Sequence, residues 1–99
     1  MALRKKYLKS KPVCKVSFDF PSDRLAEEVK EVELVASFNN WEPISLRKAK
    51  GTFTRTIDLE AGSNYEFRYR VNGEIWENDE AADAYQPNGI DGDNSVLVL

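Results

Sequence analysis

Two tryptophans, Trp41 and Trp76, have the type and setting that suit recognition of a flat ligand. Trp41 belongs to the stretch SFNNWEP, residues 37–43, in which two asparagines precede the indole. Asparagine favours turns, so we expect Trp41 just beyond a strand end, on a loop at the rim of a sheet. An indole there could hold the C–H-rich face of a sugar ring or anchor a protein interface. Burial of Trp41 in the core is the other possibility, because a tryptophan in a small β domain is often buried.

The exposure of Trp76 depends on the register of a hairpin whose turn is the Asn-Gly pair at residues 72–73. Asn-Gly is a strong signature of a two-residue turn, because both positions require positive φ. A strict two-residue turn would pair Tyr69 with Trp76 and place the indole on the buried face.

A bulged register of the same hairpin is the alternative. If one extra residue is absorbed after the turn, Val71 pairs with Ile75, and the isoleucine is buried instead of the tryptophan. Trp76 then lies across from Arg70, on the face that also carries Arg68. We favour this register because it pairs two apolar residues, although the turn chemistry prefers the strict one.

Catalytic chemistry finds little support in the residue types. The chain contains no histidine, which removes the Ser-His and Cys-His arrangements of nucleophilic catalysis. Cys14 falls on the apolar side of a predicted strand, which favours a buried small hydrophobe over a reactive thiol. Catalysis by a pair of carboxylates is not excluded by the sequence, although most acids fall in predicted loops or on strand exteriors. The sequence therefore predicts a binding protein and no enzyme.

Metal and cofactor sites are not expected either. DGDN, residues 91–94, resembles a fragment of a calcium-binding loop, but it lacks the downstream bidentate glutamate and the fuller ligand series. A tight loop whose glycine allows the bend is the preferred interpretation. The sequence contains no zinc-ligand spacing and no phosphate-binding glycine loop.

The charge of the chain is −3 and is distributed unevenly. Between residues 74 and 93 there are seven acids and no base, and an acidic body argues against nucleic acid as the main ligand. Five basic residues crowd the start: Arg4, Lys5, Lys6, Lys9 and Lys11. We expect residues 1–12 to form a basic, flexible N-terminal segment and residues 13–99 to form one domain.

The cellular setting is predicted from cysteine usage and apolar runs. The single Cys14 excludes an internal disulfide, and no stretch resembles a secretory signal, so we expect the reducing cytoplasm. No apolar run approaches the length of a membrane span, so no membrane partner is expected.

Short strands must position the two tryptophans. Alternating apolar residues predict strands at residues 13–20, 31–38, 52–59, 65–71 and 95–99, with a further strand starting at Glu74. Residues 21–30 are polar and contain proline, and they could form at most a helical turn or two. This pattern predicts an all-β, immunoglobulin-like β-sandwich, held by packing alone because the immunoglobulin cysteine pair is missing.

Three stretches together resemble a known family: VELVASFNNWEP, YEFRYRVNGEIWENDEAADAYQPNG and GDNSVLVL. They resemble carbohydrate-binding module family 48, which includes the N-terminal domains of isoamylases and branching enzymes and the glycogen-binding domain of the AMP-activated kinase β subunit. The resemblance covers residues 31–99. It implies an early-set immunoglobulin-like fold and a non-catalytic module for α-1,4-glucans such as glycogen, starch and maltooligosaccharides. It also implies a glycogen-metabolising enzyme as a further partner.

The resemblance also implies a set of site residues. In glucan-binding members of the family, two tryptophans clasp sugar rings, a basic residue and an asparagine bond to hydroxyls, and an aliphatic residue packs over a ring. Carried onto this chain, these roles fall on Trp41, Arg68, Trp76, Ile90 and Asn94. Two departures stand out: one residue is inserted between Gly73 and Trp76, and arginine replaces the lysine of kinase-type members.

A protein-interaction module of the same fold is the alternative function, because a fold does not fix an activity. Two exposed tryptophans without a sugar site would suit a protein–protein hot spot.

Overall fold

Strands arranged in two antiparallel sheets make up the computed structural model, which describes residues 2–90 and 92–99. The strands in chain order are β1 (Ala2–Tyr7), β2 (Val13–Pro21), β3 (Val32–Ala36), β4 (Ile44–Ser45), β5 (Arg47–Ala49), β6 (Thr52–Glu60), β7 (Asn64–Val71), β8 (Ile75–Glu77), β9 (Ala84–Pro87) and β10 (Asp93–Val98). One sheet has the order β1-β2-β6-β5; the other has the order β4-β3-β7-β10-β9, with β8 also paired to β7. The predicted immunoglobulin-like β-sandwich is confirmed.

The core lies between the sheets and is built by the period-two pattern of β2 and β7. Side chains at alternate positions of both strands are buried, Cys14 among them. Phe18 of one sheet meets Phe67 of the other in an edge-to-face contact with ring centroids 5.2 Å apart. The buried faces of the two strands thus meet in one apolar layer, and the opposite face of β7 points away from the core.

The basic start of the chain contributes strand β1 to one of the sheets. β1 pairs antiparallel with β2 along its whole length, and Leu3 packs against the core. Two hydrogen bonds of 2.9 and 3.1 Å join Arg4 to Asp19, and Lys5 Nζ donates to Asp83 Oδ2 at 2.7 Å. Arg4 and Lys5 of this basic segment thus have partners on β2 and just before β9. Met1 lies outside the described residues.

The segment between β2 and β3 contains no helix among its described residues, so the helical turns that residues 21–30 could form are absent. Val29 is buried there, and the side chain of Asn72 holds the backbone beside it. Asn72 Oδ1 accepts from the Lys30 backbone N–H at 2.7 Å, and Asn72 Nδ2 donates to the Glu28 carbonyl at 2.8 Å. Asn72, a turn residue of the β7–β8 hairpin, therefore also fixes the backbone of the segment that leads into β3.

Replacing Asn72 with glycine is expected to lower the free energy of unfolding by about 1–3 kcal/mol, because its three side-chain hydrogen bonds are lost, including one of 3.3 Å from the Glu31 backbone N–H. Glycine tolerates the φ of 53° that Asn72 adopts, so backbone strain does not contribute to the loss. Asn72→Asp keeps the acceptor oxygen and should lose about half as much. Urea unfolding measures both, and a glycine variant as stable as the parent contradicts the bonding role.

Among residues 2–90 and 92–99, no helix has the length and apolar character needed to cross a membrane.

Candidate functional site

The loop after β3 presents Trp41 to solvent. Ser37–Asn39 forms a short 3-10 turn after β3, and then Asn40 and Trp41 adopt left-handed φ values of 61° and 63°. The backbone N–H of Trp41 donates to the carbonyl of Ala36 at 2.9 Å and closes the turn. Trp41 is 43% exposed, which excludes its placement in the core. A left-handed tryptophan is uncommon, and such conformations concentrate at functional sites.

Side-chain hydrogen bonds hold this loop against β7. Ser37 Oγ accepts from the backbone N–H of Glu66 at 3.0 Å, and Asn39 Nδ2 donates to the carbonyl of Glu42 at 3.0 Å. The polar residues that surround Trp41 in the sequence thus fix its loop, and the indole is left for other contacts.

The β7–β8 hairpin adopts the bulged register. Val71 pairs with Ile75, and Arg70 pairs with Trp76. The turn residues 72–73 have φ values of 53° and 73°, as an Asn-Gly turn requires, and one further residue precedes the first pair. Ile75 packs against the core, whereas Trp76 lies on the outer face with 40% of its surface exposed. The favoured register is confirmed, and burial of the isoleucine is its physical cause.

Two arginines of β7 contact the Trp76 indole from the outer face of the sheet. The guanidinium carbon of Arg68 lies 4.7 Å from the ring centroid, and that of Arg70 lies 5.8 Å from it. Arg70 also donates two hydrogen bonds, of 2.9 and 2.7 Å, to Glu33 Oε1 on β3. Both arginine–indole contacts fall within the range of cation–π attraction.

A cleft of about 250 Å³ lies on this outer face. Four of the five predicted site residues line it together with one residue that the sequence analysis did not identify. The lining consists of Trp41, Arg68, Asn88, Ile90 and Asn94. Trp76 is not among the described lining residues. It contacts Arg68, which does line the cleft.

Asn94 forms part of the floor of the cleft. Its side chain is mostly buried, its Nδ2 donates to Glu66 Oε1 at 3.1 Å, and its Oδ1 accepts from Asn88 Nδ2 at 3.3 Å. Part of its bonding capacity is therefore used within the protein. An amide side chain has capacity for one further donated and one further accepted hydrogen bond beyond these two.

Asn88 also shapes the loop that carries Ile90. Its Oδ1 accepts from the backbone N–H of Ile90 at 2.8 Å, and its backbone N–H donates to the carbonyl of Gly92 at 2.9 Å. This loop places Ile90 at its tip with 92% of its surface exposed. Asn88 was not predicted as a site residue, because a turn asparagine that also faces a site has no local sequence signature.

The chemistry of this cleft suits a neutral, hydroxyl-rich ligand with apolar faces. Trp41 supplies a flat surface, Ile90 supplies an aliphatic one, and the guanidinium and amide groups supply donors and acceptors. Among the described residues, no group of three or more Cys, Asp or Glu side chains is placed to hold a metal ion.

A larger cleft, of about 330 Å³, lies on the opposite sheet and is less suited to a sugar. Its described lining consists of Arg47, Thr54, Arg55 and Thr56. No aromatic side chain is among these residues, so the cleft offers no platform for a pyranose ring.

Comparison with known families agrees with this geometry. The model of a family described as the glycogen recognition site of AMP-activated protein kinase matches residues 24–96, most of the chain. The match spans both tryptophans and every residue that lines the cleft beside Trp41. No curated protein matches the chain. The chain therefore belongs to the family of glycogen recognition domains described for AMP-activated protein kinase, which are carbohydrate-binding modules.

Proposed function

We propose that this protein binds α-1,4-glucans, namely glycogen, starch and maltooligosaccharides, and has no catalytic activity of its own. The proposed site uses Trp41, Trp76 and Arg68, with Ile90 and Asn94 beside them. The observation that carries the proposal is the cleft in which the exposed Trp41 and Arg68 lie together. Membership of a glycogen recognition family supports the choice of ligand class.

The expected affinity follows from the surface that a sugar would bury. Covering roughly 100–150 Å² of apolar surface on one indole contributes about 2.5–4 kcal/mol at ~25 cal/mol/Å². Association and ordering costs of at least ~4 kcal/mol offset the contribution of one indole, so net binding depends on the additional apolar and hydrogen-bonding contacts of the site and is weak. We therefore expect a dissociation constant of about 10 µM to 1 mM, and tighter binding of longer glucans, which offer more rings.

Titration with maltoheptaose tests the proposal directly. Tryptophan fluorescence should change with saturation in the range of about 10 µM to 1 mM, because Trp41 passes from water to a sugar face. Cellohexaose, which joins the same sugar by β-1,4 bonds into a straight ribbon, is the matched control and should bind much more weakly. If the fluorescence of the parent protein does not change at maltoheptaose concentrations several times above about 1 mM, the proposal of glucan binding is contradicted.

A protein-interaction module that has lost sugar binding is the second candidate. The exposure of Trp41 and Ile90 on one rim supports it, because aromatic and aliphatic anchors form protein hot spots.

In the proposed glucan-binding role, the module would bring a glycogen-metabolising enzyme to its substrate in the cytoplasm. Competition separates the candidates: maltoheptaose should displace the protein from glycogen, whereas a pure interaction module would not sediment with glycogen at all.

A further inference from the structure

Trp76 does not present a bare surface in the way that Trp41 does. The Arg68 guanidinium stacks at 4.7 Å from the centroid of its ring and covers part of the surface that a sugar would otherwise contact. The ring is 40% exposed, so the remainder of its surface still faces solvent.

The lining of the cleft separates the roles of these residues. Arg68 lines the cleft with Trp41, whereas Trp76 is outside the described lining. Arg68 therefore contacts the Trp76 indole and also lines the space that a ligand would occupy. Through this contact Trp76 can affect a ligand in the cleft by fixing the position of Arg68.

Arg70 also contacts the indole, but it is held independently of it. Its two hydrogen bonds to Glu33 Oε1 tie its guanidinium to β3, and the distance from its guanidinium carbon to the Trp76 centroid is the longer one, 5.8 Å. Arg70 is also outside the described lining of the cleft. Of the two contacts, the one with Arg68 therefore joins Trp76 to a residue that lines the cleft.

We propose that Trp76 is a positioning residue whose indole holds the Arg68 guanidinium toward the cleft, where its N–H groups donate to glucan hydroxyls. This inference rests on the proposed function. An arginine side chain has large rotamer freedom, and stacking on a ring restricts that freedom before the ligand arrives. Preorganised donors lose less entropy on binding. The extra residue between Gly73 and Trp76 sets the bulged register, which puts the indole on the same face as Arg68.

A double-mutant cycle with maltoheptaose tests this role, because a residue that acts through another has no effect once that residue is gone. We expect Trp76→Leu and Arg68→Met each to weaken binding by roughly 3- to 10-fold, and the double variant to bind like Arg68→Met. A Trp76→Leu penalty that persists in the Arg68→Met background shows direct contact with the sugar and overturns the inference.

The same cycle distinguishes a failure of the proposed glucan-binding function from a failure of the positioning role of Trp76. A parent protein that binds no maltoheptaose removes the proposed function and this role with it. Independent penalties in a parent that does bind remove the positioning role alone. Trp76→Thr, whose β-branched side chain suits a strand, replaces Trp76→Leu in the cycle if the first variant unfolds.

Nuclear magnetic resonance of the sugar-free protein supplies a second readout. The Nε–H proton of Arg68 should show a ring-current shift in the parent, lose it in Trp76→Leu and retain most of it in Trp76→Tyr. Trp76→Tyr should also bind maltoheptaose within about 2-fold of the parent. Tyr7→Leu, which removes an exposed aromatic side chain from β1, is the matched control and should change neither property. An Arg68 shift that is the same in the parent and in Trp76→Leu overturns the inference.

Discussion

Replacing Trp41 with alanine is expected to weaken maltoheptaose binding by at least about 50-fold, because the cleft then loses its aromatic surface. The expected loss corresponds to the roughly 2.5–4 kcal/mol that an indole contributes when a sugar covers it. Sedimentation with glycogen and calorimetric titration with maltoheptaose measure it. An alanine variant that binds within about 3-fold of the parent would show that the sugar lies elsewhere.

Trp41→Gly separates binding from folding at the same position. Trp41 has a φ of 63°, a conformation that glycine adopts without strain, so this variant should be at least as stable as the parent. It should nevertheless lose glucan binding as fully as Trp41→Ala. Tyr7→Ala, on the opposite sheet, removes another half-exposed aromatic ring and should leave binding unchanged.

Replacing Tyr69 with phenylalanine is expected to lower the free energy of unfolding by about 2–3 kcal/mol, because a buried hydrogen bond to a carboxylate is lost. The Tyr69 hydroxyl donates to Asp79 Oδ2 at 2.8 Å, and both residues are fully buried. The other oxygen of Asp79 accepts from the backbone N–H of Ala81 at 2.8 Å and keeps that partner. Urea unfolding measures the loss.

Tyr85→Phe is the matched control for this prediction. The Tyr85 hydroxyl also binds Asp79, but it donates to the backbone carbonyl at 2.6 Å, and the side chain is half-exposed. Water can replace that hydrogen bond, so the expected loss is at most about 1 kcal/mol. Equal losses at Tyr69 and Tyr85 would show that burial of the carboxylate is not the cause.

The hydrogen bond between Tyr69 and Asp79 should also make the stability of the protein depend on pH in the alkaline range. Burial raises the pKa of Tyr69 well above its usual value of 10.0, and the neighbouring charge of Asp79 raises it further. In the unfolded chain the phenol ionises near pH 10, while in the folded protein it stays neutral. The stability that this group contributes is therefore complete below about pH 10 and is lost progressively above it. In Tyr69→Phe, this part of the decrease in the free energy of unfolding above about pH 10 should be absent.

Strands with clear alternation were predictable from the sequence. β2 and β7 carry apolar residues at every second position, and each such position faces the core or its edge. The strands that were missed are short or polar: β1, β4, β5 and β9. All four residues of β9 are exposed, so no hydrophobic alternation marks it, and pairing with β10 alone defines it.

The fold class, the family and the types of residue at the site were all predictable from the amino-acid sequence. Alternation and turn chemistry are local properties of the chain, so they can be read without coordinates. The tertiary structure decided that Trp41 faces a cleft, that Asn88 joins it, and that Trp76 lies against Arg68. These outcomes depend on contacts between residues far apart in the chain. The register of the β7–β8 hairpin is the clearest case, because turn chemistry and burial of Ile75 favoured different pairings, and burial in the assembled core prevailed.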